Sequence, residues 1–114
     1  MAKPELEFHP PAGEWRPAMP GVEGMWEQIL STDPESGDYT RLVQMEPGTD
    51  TSPAGVIVHE FREEVYLIEG DLTDLTLGQT FTAGMYCCRP PGMKHGPYRS
   101  ESGCRMVEFR YAFR

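Results

Sequence analysis

The stretch that decides the fold is Val58-His59-Glu60-Phe61-Arg62-Glu63-Glu64-Val65-Tyr66-Leu67-Ile68-Glu69-Gly70, followed by Gly84-Met85-Tyr86-Cys87-Cys88-Arg89-Pro90-Pro91-Gly92-Met93-Lys94-His95. Each half pairs a short run of β-branched, aromatic and aliphatic residues with a glycine or proline turn signal. Each also carries a histidine beside a run that reads as a strand. Neither half shows the 3.6-residue apolar period of a helix.

Working outward, Met25 to Leu30, Tyr39 to Met45, Ala54 to Phe61, Val65 to Glu69, Asp71 to Leu77, Met85 to Arg89 and Cys104 to Phe113 read as strands. Turns separate them at Asp33-Pro34, Ser36-Gly37, Pro47-Gly48, Gly70-Asp71, Leu77-Gly78, Pro90-Pro91-Gly92 and Ser102-Gly103, where residues supply a preset or positive φ. Short strands at this spacing build a sandwich or barrel, so the fold class is all-β. In the last run Val107, Phe109, Tyr111 and Phe113 alternate with Met106, Glu108 and Arg110, and the alternation leaves open which face points inward. Pro4 to Gly21 holds five prolines and reads as an irregular arm or edge. The expected organisation is therefore a Pro-rich arm over residues 1–21 and a barrel domain over 22–114.

A chain of 114 residues fits one domain, which buries roughly two-thirds of the surface its unfolded form exposes. With Lys and Arg at 10 against Asp and Glu at 18, the net charge is −8. Phosphate backbones and anionic lipid attract positive charge, so neither nucleic acid nor a membrane is an expected partner. No run approaches a membrane span and the N-terminal sequence lacks a signal-peptide pattern, so a cytoplasmic location is expected. The cysteine count is odd, and Cys87 and Cys88 are neighbours whose side chains leave a strand on opposite faces, so no disulfide framework is expected.

The quoted segments resemble the two motifs of the cupin superfamily. Gly84, Pro90, Gly92 and His95 match G-x5-P-x-G-x2-H at every fixed position, and His59, Glu63 and Gly70 match the ending H-x3-E-x6-G of the first motif. The two cover about 40 contiguous residues. The resemblance implies a small single-domain, RmlC-like jelly-roll β-barrel with a metal in its mouth, held here by His59, Glu63 and His95. Imidazole and carboxylate together suit a divalent Fe, Mn, Zn or Ni ion. Two departures stand out: Ile57 occupies the place of the motif's first histidine, and Arg99 the place of the second motif's closing asparagine. The alternative is a degenerate cupin without metal. Glu64 is the reserve ligand, and His9, among prolines and glutamates, is set aside.

Strand parity adds Ile57 and Phe61 to the His59 face, an apolar wall beside the site. Glu108 and Arg110 would join the pocket if the polar face of the last run turns inward, where Arg110 would clamp a substrate carboxylate or carbonyl. Tyr66 and Tyr86 are candidate proton donors, with packing residues as the alternative. The functional expectation is a small metal-dependent enzyme of dioxygenase, lyase or isomerase type acting on a compact carbonyl, enol or carboxylate compound. The alternative is a non-catalytic cupin sensing a small ligand or metal. A homodimer to which the arm contributes is expected.

Overall fold

A computed structural model of the chain describes residues 2–112. Among the described residues nine strands form: β1 Arg16–Pro17, β2 Met25–Thr32, β3 Tyr39–Met45, β4 Thr49–Asp50, β5 Arg62–Asp74, β6 Gln79–Thr82, β7 Tyr86–Arg89, β8 Tyr98–Ser100 and β9 Cys104–Tyr111. The one helical element among the described residues is a 3-10 turn at Ser52–Ala54. Among the described residues no helix is long and apolar enough to cross a membrane. All pairings between these strands are antiparallel, in the order β1-β2-β3-β9-β5-β8-β4, with β6 and β7 also on β5. The all-β architecture expected from the alternation and turn chemistry is the one that forms.

β5 is the spine. Its first part pairs with β9 and β7, and its last residues pair with β6 and β8. The sequence suggested two strands with a turn at Gly70-Asp71, but the chain runs through as one. Gly70 has φ +85°, and a Cβ there would lie 2.0 Å from the Gly103 carbonyl oxygen and 2.7 Å from Cys104 Cα. The glycine is therefore a bend where one strand passes from one sheet half to the other, pressed against β9. The two halves close over a shared core of Val43, Met45, Val65, Leu67, Leu72 and Met106.

The expected strand Ala54 to Phe61 is a second correction. Pro53 lies in the first turn of a 3-10 helix and Gly55 takes φ +67°, so the chain leaves the sheet edge there. Beyond Gly55 the chain is an extended loop, joined to the His95 loop by an isolated bridge, Ile57 with His95, and by Gly92 N–H donating to the His59 carbonyl. Its side chains still alternate, with Val56, Val58 and Glu60 exposed and Ile57, His59 and Phe61 turned in. The alternation survived without the ladder. β4, β6 and β8 escaped the sequence reading because two to four residues carry too little pattern to register.

β9 settles its own ambiguity: Met106 and Glu108 are buried while Phe109 is exposed. Charged groups thus point into the barrel. They are tolerated because antiparallel register sets Arg41 of β3 opposite Glu108, and Glu63 of β5 opposite Arg110. Phe113, placed with the apolar face by the sequence, lies outside the described residues.

In the Pro-rich segment, β1 pairs with β2, and Ala18 and Met19 pack against the core. The remainder of the arm touches the outer face through Lys3 Nζ donating to Thr40 Oγ1 at 2.5 Å and Gln28 Nε2 donating to the Gly13 carbonyl at 2.6 Å.

Candidate metal centre

Three elements converge on one point inside the barrel. The loop after the 3-10 turn supplies His59, the start of β5 supplies Glu63, and the loop after β7 supplies His95. Their ligand-capable atoms all lie within 4.8 Å of one another. Glu63 is only 1% exposed, and its Oε1 is 3.8 Å from His59 Nε2 and 3.9 Å from His95 Nε2. Glu64 points the other way, to the outer face, where it accepts hydrogen bonds from Tyr86 and, at 2.8 Å, from Tyr111. His9 lies exposed in the arm, its Nδ1 2.9 Å from the Pro10 carbonyl.

The protonation of both imidazoles is set by their surroundings. His95 Nδ1 lies 3.3 Å from the Met93 carbonyl, which can only accept, so Nδ1 carries the hydrogen and Nε2 presents a lone pair. Burial first, then Arg89, push the His95 pKa down to about 4. His59 is lowered too, chiefly by burial, against the pull of Glu63. Its ring stacks on Phe61 at 4.3 Å. Both rings are neutral at pH 7, the form that binds metals.

His59 Nε2 is buried and, among the described residues, has no hydrogen-bond partner. Such an orphan costs about 1–3 kcal/mol unless something occupies it. A cation shared with His95 Nε2 and Glu63 would do so, and two imidazoles with one carboxylate make the donor set of a facial triad. These three residues could hold a metal ion, and their donor set fits one.

Glu63 is also clamped by charge. Oε1 accepts from Arg89 Nη1 at 2.6 Å, and Oε2 accepts from Arg110 Nε. Burial alone would raise its pKa, but Arg110 and Arg89 outweigh that and hold the carboxyl ionised. Each carboxylate oxygen has two lone pairs, so both retain a site after serving one arginine.

The arginines continue into a ladder. Arg110 Nη1 donates to Tyr39 Oη at 2.7 Å, and Arg110 Nη2 lies 3.5 Å from Glu108. Glu108 Oε1 in turn accepts from Arg41 at 2.8 Å, and Arg41 Nη1 reaches Glu27 at 2.5 Å. At the other end Arg89 Nη2 donates to Tyr98 Oη at 2.6 Å. Burial, opposed by Arg89 and aided by smaller contributions from Asp74, Cys87 and Glu63, raises the Tyr98 pKa to about 12, so it stays a neutral phenol that can donate its own hydrogen.

Sequence reading brought His59, Glu63 and His95 together, and Ile57, Glu108 and Arg110 line the same cavity. Phe61 backs it through the stack on His59. Tyr66 and Tyr86 do not join them: both lie on the outer face, where Tyr86 bonds Glu64. Arg110 does not present a free guanidinium, because Glu63, Tyr39 and Glu108 engage it. Reading from sequence missed Arg41, Arg89 and Tyr98. Only Arg89 left a trace: it stands just before Pro90 of the second motif, and the register of β7 and β5 sets it opposite Glu63.

The cavity measures about 30 Å3, one or two water-sized spheres. A larger cleft of about 330 Å3 adjoins it and shares Arg89, His95 and Tyr98 as a common wall. Cleft walls beyond that are partly apolar, with Val56, Leu77, Phe81 and Met93.

Residues 5–114 match a family model described as the ChrR cupin-like domain. No protein of curated function matches the sequence. Among solved structures, an RmlC-like cupin from Shewanella frigidimarina is similar at TM-score 0.74 and 19% identity, over 100% of this chain and 96% of that one. An acetylacetone dioxygenase from Acinetobacter johnsonii is similar at TM-score 0.73 and 18% identity, over 98% of this chain and 78% of that one. The anti-sigma factor ChrR of Rhodobacter sphaeroides, in complex with SigE, is similar at TM-score 0.63 and 22% identity, over 83% of this chain and 46% of that one. At these identities the structural likenesses speak for the fold, a cupin jelly roll.

Proposed function

The chain belongs to the ChrR cupin-like domain family, and on that premise we propose that it is a metal-dependent cupin enzyme acting on a compact carbonyl, enol or carboxylate compound. His59, Glu63 and His95 are the proposed ligands of one divalent ion. The observation that carries this reading is the buried, unpartnered Nε2 of His59, aimed with His95 Nε2 at one carboxylate oxygen. When bound, such an ion supplies Lewis-acid polarisation of an oxygen ligand.

The protein's own groups set the rest. Met93 fixes the His95 tautomer, and Phe61 fixes the His59 ring. Ile57, with Met25, Met45 and Met106 on the cavity wall, excludes water. Tyr98, neutral and hydrogen-bonded by Arg89, is a candidate hydrogen-bond donor to a developing oxyanion at the cleft boundary. The likeness to an acetylacetone dioxygenase supports oxygen-dependent carbon–carbon cleavage as the first chemistry to test.

Two observations favour a second reading, a non-catalytic domain that senses a small ligand or metal: the ChrR family match, and Ile57 where the motif has a histidine. Elemental analysis of purified protein, followed by oxygen uptake with diketones and catechols, separates the two. The enzyme reading expects about one ion per chain and uptake that depends on it. Stoichiometric metal without turnover on the panel would favour the sensing reading, and protein purified with no metal that takes none up would sink both metal roles.

A further inference from the structure

Six charged side chains are threaded through the barrel interior as one connected set: Glu27, Arg41, Glu108, Arg110, Glu63 and Arg89. Three are carboxylates and three are guanidiniums, so the buried set is electrically balanced as it stands; Arg16 joins it at Glu27 from the surface, where its 63% exposed side chain is solvated. Arg41 illustrates how firmly: its side chain is 3% exposed and lies between Glu27 and Glu108. A divalent ion bound through two neutral imidazoles and Glu63 would leave this interior two positive charges in excess. Uncompensated charge in a low-dielectric cavity is strongly disfavoured. The two guanidiniums on Glu63 also repel the ion and already take one lone pair of each carboxylate oxygen.

Where the compensating charge would come from is narrowed by the cavities. The inner void is too small for an organic molecule, but Arg89, His95 and Tyr98 form the wall between it and the larger cleft. The cleft is also lined by one acid and one base, Asp74 and Lys94, whose formal charges sum to zero. Arg89 is therefore the cation placed to leave Glu63 for a ligand arriving from the cleft. A planar guanidinium suits a carboxylate in that role, because it offers two parallel N–H donors.

We propose that the inner cavity takes its divalent ion while a small dianion, of which a short dicarboxylate is the type, binds from the adjoining cleft at the shared wall, and that Arg89 exchanges its bond to Glu63 for one to the anion. The inference rests on the metal reading above and narrows its substrate class from carbonyl, enol or carboxylate compounds to anions that restore charge balance. Ion and anion then bind cooperatively, each raising the other's affinity by the same factor. Arg89 has two opposed roles: it hinders the ion alone and favours the ion with its anion.

The test measures Mn(II) affinity by electron paramagnetic resonance at clamped free Mn(II), alone, with malonate, and with malonamide, its uncharged counterpart. Malonate is expected to tighten Mn(II) binding about tenfold or more, within the usual range of such couplings, with malonamide inert. In Arg89→Gln, Mn(II) alone should bind more tightly than in the wild type while the malonate effect largely disappears. Equal Mn(II) affinity with malonate and malonamide in the wild type would overturn the proposal while leaving the metal site intact, and this comparison decides even if the variant does not fold. No Mn(II) binding under any condition would overturn the metal reading itself, and this proposal with it.

Discussion

Ile57 and His95 are joined through their backbones: Ile57 N–H donates to the His95 carbonyl at 2.8 Å, and His95 N–H returns to the Ile57 carbonyl at 3.0 Å. This bridge, with Gly92 N–H donating to the His59 carbonyl at 2.9 Å, fastens the loop that carries His59 to the loop that carries His95, and the Ile57 side chain lines the cavity wall. Ile57→His is therefore expected to add a third imidazole beside the proposed ion's ligands and to tighten metal binding. Activity should fall, because the added ring fills a position otherwise open to substrate. A folded variant with unchanged Zn(II) affinity by calorimetry would show that position 57 does not reach the ion.

Replacing His95 tests the ligand set from the other side. His95→Ala removes an imidazole that no nearby side chain can replace, and metal content by elemental analysis should fall at least about tenfold. Circular dichroism should remain β-like, since the backbone bridge to Ile57 does not need the ring. Full occupancy in this variant would remove His95 from the proposed site.

Arg41→Met strips the cation from between two buried carboxylates. At pH 7 the loss should approach about 3–5 kcal/mol in urea unfolding, the cost of breaking a buried pair, since Glu27 keeps only the exposed Arg16 and Glu108 only Arg110 at 3.5 Å. Burial alone would raise the Glu27 pKa, but Arg41 and Arg16 outweigh it and the group titrates below its ordinary range. The unfolded state therefore binds the proton more readily, and the wild type loses this stabilisation as pH falls through and below about 4.3. In the variant Glu27 has lost its Arg41 partner and protonation relieves it, so the gap between variant and wild type should shrink on acidification. A gap that widens would contradict the ladder.

Gly70→Ala probes the bend in β5. Its Cβ would collide with the Gly103 carbonyl oxygen at a residue of positive φ, where an alanine is strained whatever the space. A loss of about 2–3 kcal/mol or more is expected, consistent with backbone strain plus a backbone clash. Gly92→Ala, with φ +85° and nothing near its added methyl, should cost less. Equal losses would mean that the β5 to β9 contact is not what requires glycine at position 70.

The outer sheet face exposes Tyr66, Ile68, Tyr86 and Phe109, and the arm exposes Phe8 completely. Cross-strand register groups the first, third and fourth of these on neighbouring strands. Pairing of two copies through this face, with the arm contributing, is the expected assembly, and light scattering at micromolar concentration should report a dimer that Phe109→Glu weakens. A wild-type monomer under those conditions would exclude it.

The sequence carried whatever is local. Alternation and turn residues specified an all-β chain, and the intervals from His59 to Glu63 to Gly70 and from Gly84 to His95 carried the three candidate ligands, because each interval spans one strand and the loop beside it. Even where no ladder formed, the parity of Ile57, His59 and Phe61 held, since an extended backbone alternates its side chains with or without a partner strand. The charge ladder had no such signature. Arg41 and Glu108 are 67 residues apart and Glu63 and Arg110 are 47 apart, and they meet only because β3, β9 and β5 lie side by side in one register. The same register decided that Glu108 and Arg110 face inward and Phe109 outward: a period of two assigns residues to faces, but which face is buried depends on charges supplied by distant strands.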